Sequence, residues 1–159
     1  MSPYTQKDYP VIVPHLVIKG AARAIEFYQA AFGAVERYRL GTSGTDQIGH
    51  AELTIQGQVI MLADEFPGMS TSPETLHGTT FTLVLMVPNA DEAFARAIKA
   101  GGTALMAPAD QLYGYRMGSL IDPFGHKWML QHPLRDVSVV EMQKSWDAMT
   151  AQFCPKTST

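Results

Sequence analysis

The sequence predicts an α+β fold: two tandem β-α-β-β-β modules, residues 11–63 and 79–132, within one domain over 1–133, followed by a helix and tail over 134–159. Three observations predict it. A strand-like run, a helix and three more strands occur in order, and the same order restarts after residue 78. The text itself repeats, since Gly57-Gln58-Val59-Ile60-Met61-Leu62 matches Gly125-His126-Lys127-Trp128-Met129-Leu130 at an offset of 68. Phe27 and Ala30 match Phe94 and Ala97 at an offset of 67, which is what a duplicated unit leaves behind.

Val11–Ile18 is rich in β-branched residues and reads as the first strand; Ala21–Phe32 follows as a helix, with Ala24, Phe27, Tyr28 and Ala31 forming one apolar stripe and Gly33 stopping it. Strands are expected at Val35–Leu40, Gly49–Ile55 and Gln58–Ala63, separated by Gly/Ser/Thr turns. Residues 64–78, with two prolines and two glycines, are long for a connection inside a domain and read as a linker or a lid. In the second module, Thr79–Val87 is a strand, Asn89 with Glu92 opens a helix over Ala90–Ala100, and Gly101-Gly102 ends it. Strands at Thr103–Met106, Arg116–Ile121 and Lys127–His132 complete the repeat, the last two joined by the Asp122-Pro123-Phe124-Gly125 turn. Ser138 and Glu141 form a second capping box for a helix running to Gln152, which is expected to dock on the body or on a partner subunit.

Composition narrows the function classes. Twelve Lys and Arg against fifteen Asp and Glu, with no basic cluster, exclude a nucleic-acid partner. The longest apolar run, from Phe81 to Val87, is far short of the roughly 20 residues that span a bilayer, so no membrane partner is expected. A polar, Pro-containing start without a hydrophobic stretch points to the cytoplasm. The single cysteine, Cys154, has no partner for an internal disulfide and reads as incidental.

The stretches VPHLVIKGAARAIEFYQAAFGA, GHAELTIQGQVIMLADE and YGYRMGSLIDPFGHKWMLQH, set in a duplicated unit, resemble the vicinal oxygen chelate superfamily of glyoxalase, bleomycin-resistance and extradiol dioxygenase proteins, over about residues 10–133. The resemblance implies curled mixed sheets around a cavity, a homodimer, and in metal-using members a divalent ion held by four ligands from the first and last strand of each module. His15 falls on the first of those positions, whereas Met61, Thr82 and Met129 fall on the other three. Thioethers and a hydroxyl are poor replacements for carboxylates and an imidazole, so no metal or other cofactor is expected. Alternation places Val59, Met61 and Ala63 on the cavity side of one strand and Lys127, Met129 and Gln131 on that of another.

Two constellations remain. His50 and Glu52 share one strand face and with His15 are the weak candidates for a relocated divalent-metal site; their plain reading is an exposed polar face. In Asp110–Arg116, Tyr113 offers a ring and Arg116 a bidentate donor for an anionic or aromatic ligand, or Arg116 simply pairs with Asp110 or Asp122. The expected ligand cavity therefore comprises His15, Met61, Thr82, Tyr113, Arg116 and Met129. The function read from this is binding of a small aromatic or amphipathic molecule without the family metal. The alternative is a metal-dependent lyase, isomerase or dioxygenase with a relocated ligand set.

Overall fold

The computed structural model describes residues 9–151. Its first module runs β1 (His15–Ile18), α1 (Ala21–Phe32), β2 (Val35–Gly41), β3 (Ile48–Ile55) and β4 (Gln58–Asp64). A short helix, α2 (Pro73–Leu76), precedes the second module: β5 (Thr82–Met86), α3 (Ala90–Lys99), β6 (Thr103–Asp110), β7 (Tyr115–Ile121) and β8 (Lys127–Pro133). The chain continues into α4 (Val139–Thr150); Gln152 and Cys154 lie outside the described residues.

The duplication is complete at the level of topology. Each module makes an open four-stranded mixed sheet, in the orders β1-β4-β3-β2 and β5-β8-β7-β6, with the first and last strand of each module parallel and the other pairs antiparallel. One face of each sheet packs against the helices: Leu16, Ile18 and Leu62 from the first, Leu120, Trp128 and Leu130 from the second, with Tyr28 and Ala97 from the helices, all belong to a single buried cluster. Alternation then leaves His15, Val17 and Met61 on the other face of the first sheet and Val84, Met86 and Met129 on that of the second.

Several expected boundaries shift for local reasons. β1 begins at His15 rather than Val11, because Pro14 has no N–H to give the ladder; its carbonyl instead accepts from Met61 N at 2.8 Å, and Val11 and Ile12 are exposed. β6 runs on to Asp110 through Pro108, which an edge strand tolerates. The caps form at Asn89 and Ser138, whose side chains accept from Glu92 N and Glu141 N. Glu141 does not close its capping box, since Arg135 takes its carboxylate at 2.7 Å. None of the residues of α4 is buried against the described residues.

The 64–78 segment is neither a slack linker nor a free lid. Ser72 is fully buried and caps α2, Glu65 accepts from Ser72 N and the Thr75 hydroxyl, and Glu74 pairs with Lys19 at 3.1 Å. Pro73 packs against Gly125, where φ is +91° and an added Cβ would come within 2.8 Å of the proline ring. The turn before β8 thus needs glycine both for its backbone and to admit the strap.

Candidate functional site

Sheet register aligns the two modules row by row. In the first sheet His15, Met61, Glu52 and Tyr38 lie side by side across β1, β4, β3 and β2; in the second the row is Val84, Met129, Ser119 and Met106 across β5, β8, β7 and β6. Val84, not Thr82, therefore stands where His15 stands; Thr82 pairs with Lys127, two residues away. The positions a family metal would use hold one imidazole, two thioethers and an alkyl group. These residues do not fit a hard divalent ion.

His15, His50 and Glu52 do come together. The imidazoles of His15 and His50 stack with centroids 6.2 Å apart, and His50 Nε2 lies 3.5 Å from Glu52 Oε1. Glu52, however, is not on an exposed polar face, being 1% accessible. The Tyr9 hydroxyl donates to both carboxylate oxygens at 3.0 and 3.1 Å, the Tyr38 hydroxyl donates at 2.8 Å, and Arg37 Nη1 lies 3.1 Å from Oε2. Arg37 also covers the Tyr9 ring at 4.9 Å. Hydrogen bonding to the carboxylate pushes the Tyr38 phenol up to about 12. So engaged, Glu52 organises the sheet face rather than offering lone pairs to an ion. Among the described residues no group of three or more His, Cys, Asp or Glu side chains is placed to hold a metal.

A cleft of about 530 Å³ opens where this face meets the strap. His15 and Val17 supply its β1 wall, Pro73 and Leu76 of α2 the opposite one, and Phe81 and His126 its remaining apolar and ring surface. His126 is buried; its ring Nε2 lies 3.2 Å from the Val17 carbonyl and must donate, which leaves Nδ1 as a buried acceptor without a partner. Burial pulls the His126 pKa down, and burial followed by the nearby His50 does the same to His15. Both rings are neutral hydrogen-bonding groups near pH 7.

The expected cavity set divides. His15 lines the cleft and Met61 lies beside it in register, while Met129 and Thr82 belong to the second sheet. Tyr113 sits in the turn before β7, its ring 5.8 Å from that of Tyr115. Arg116 faces α3 instead, donating to both oxygens of Asp91 at 2.6 and 2.8 Å and to Asp110 at 2.8 Å. The Asp110 pairing was foreseeable from the loop; Asp91, 25 residues earlier, was not. Nothing local in the sequence marks Phe81, Leu76 and Val17 as lining a site, because the strap's docking depends on tertiary contacts. The Tyr38 partnership was readable from a hairpin pairing of Val35–Leu40 with Gly49–Ile55.

The family profile for the glyoxalase/bleomycin resistance protein/dioxygenase superfamily matches residues 11–130, covering both modules. The chain belongs to this superfamily. An uncharacterised protein from Mycobacterium bovis is 45% identical over 148 residues, covering 90% of this chain and 94% of its own. An uncharacterised Arabidopsis thaliana protein is 30% identical over 115 residues, covering 67% and 68%. Among solved structures, TioX from Micromonospora sp. ML1 superposes with a TM-score of 0.62 at 26% identity, covering 77% of this chain and 98% of that one. A glyoxalase-related enzyme from Fulvimarina pelagi gives 0.61 at 21% identity over 77% and 87%, a likeness of fold. The superfamily match stops at residue 130, before α4.

Proposed function

We propose that this superfamily member binds a small aromatic or amphipathic molecule at the open face of its first sheet, without a metal, in the cytoplasm and as a homodimer. The observation that carries the reading is the cleft against β1, whose walls combine Val17, Pro73, Leu76 and Phe81 with neutral hydrogen-bonding groups, the composition of an ordinary small-molecule site. The metal-free part is supported by the row His15–Met61 and its counterpart Val84–Met129, which together supply a single good donor to a divalent ion. The dimer is supported by the second sheet, where Val84, Met86 and Met106 are exposed on one face among the described residues. Such a face is a natural seat for a second copy.

The test is calorimetric titration with an aromatic ligand panel, before and after chelator treatment, together with light scattering on the eluting species. Saturable binding that survives metal removal and weakens in Phe81→Ala supports the reading. Binding that disappears with chelator and returns with an added ion overturns its metal-free part, and a strictly monomeric species overturns the dimer.

A further inference from the structure

Granted that the first-sheet face binds a small molecule, we infer that its cleft takes an uncharged ring-bearing ligand and rejects the carboxylate or ammonium analogue of the same ring. The lining is the argument. Besides His15, His126 and the four apolar side chains it consists of Thr71, Gly78, Thr79 and Thr80, so it contains no Asp, Glu, Lys or Arg.

Several charges around the cleft are matched by other groups of the chain. At the strap, Lys19 is paired with Glu74, and Glu65 accepts from Ser72 and Thr75. Across the sheet face, Glu52 is held by Arg37 and two phenols. Asp64 at the end of β4 accepts from the backbone N–H groups of Gly20, Ala21 and Ile48. Arg116 is locked to Asp91 and Asp110 on the helix side of the second sheet. A ligand charge entering the cleft would lose water and meet no counter-charge, which is the costly case of burial. A neutral hydroxyl or carbonyl meets imidazoles and threonines that exchange hydrogen bonds without a charge. The two imidazoles reinforce this, because burial disfavours the protonated form that would attract an anion.

Three probes with one ring system separate the outcomes: 2-naphthol, 2-naphthoate and 2-naphthylmethylammonium, titrated at pH 7.5 into the full chain at low and high salt. The naphthol is expected to bind at least tenfold tighter than either ion, about 1.4 kcal/mol, with a Kd that salt leaves unchanged. Phe81→Ala, checked for an unaltered melting temperature, is expected to weaken it; Leu76→Ala, at an exposed position, serves if the first variant is unstable. Discrimination below tenfold, with binding still lost in the cleft variants, overturns the neutrality inference and leaves the binding site standing. Failure of all three probes to bind, together with failure of the wider panel, overturns both.

Discussion

Across the first sheet the middle row reads His15, Met61, Glu52, Tyr38; across the second it reads Val84, Met129, Ser119, Met106. Their other faces have hardly diverged: Leu16 corresponds to Leu85, Ile18 to Val87 and Leu62 to Leu130, because both sheets feed one core under α1 and α3. After duplication, the helix-facing residues stayed constrained by a shared packing problem. The outward faces were free to separate, one toward a hydrogen-bonded polar cluster and one toward flexible thioethers and alkyl groups.

The largest effect is expected where the modules are tied together. Asp122 is buried and accepts from the Tyr28 hydroxyl at 2.8 Å, Trp128 Nε1 at 3.0 Å, and the backbone N–H groups of Phe124 and His126 at 2.9 Å each. Asp122→Ala strands four buried donors and should cost about 4 kcal/mol or more in urea denaturation, since each orphaned group costs about 1–3 kcal/mol. Retention of wild-type stability would mean the knot is ornamental.

The faces should differ next. Glu52→Ala removes the acceptor of two phenols and the ion-pair partner of Arg37, an expected loss of about 3 kcal/mol. Met129→Leu, in the corresponding row of the second sheet, should cost less than about 1.5 kcal/mol. Equal losses at the two sites would erase the contrast between organised and adaptable faces.

A smaller effect is expected from pH. His15 and His126 are both held below the ordinary 6.5 in the folded chain, by burial first, so the unfolded chain binds more protons as the solution is acidified. Stability present above about pH 6.5 should therefore be lost as pH falls through the folded values, and urea midpoints should drop between pH 7 and pH 5. His126→Gln should make that slope shallower; an unchanged slope would assign the titration elsewhere. Smallest of all, Arg116→Ala should leave the melting temperature and ligand affinity near wild type, since its ion pairs are at the surface and turned from the cleft. A tenfold loss of affinity in that variant would restore Arg116 to the ligand site.

Much of this fold was legible because its signals are local. The stripe of α1, the αL cap at Gly33 and the Asn89 cap are written in neighbouring residues, and the repeat exposed the shared plan. What escaped depends on partners far along the chain. Parallel pairing sets Val84 rather than Thr82 beside Met129, and a parallel register has no connecting hairpin from which to count. Glu52 was visible beside His50, but its burial needs Tyr9, 43 residues earlier, and Arg37 at the irregularity between Glu36 and Tyr38. The cleft was the least legible part, since Leu76 and Phe81 acquire meaning only once Ser72, Glu65 and Gly125 seat the strap.

The Asp122 knot has a further consequence for the history of the chain. Asp122 accepts from a tyrosine of the first copy and from a tryptophan and two backbone N–H groups of its own, so parting the copies would separate the Tyr28 hydroxyl from its acceptor. Each copy retains the outline of the ancestral half, yet neither keeps a complete set of buried polar partners. The halves are complementary parts: without the second copy the Tyr28 hydroxyl would lose its acceptor, and without the first Asp122 would lose one of its four donors.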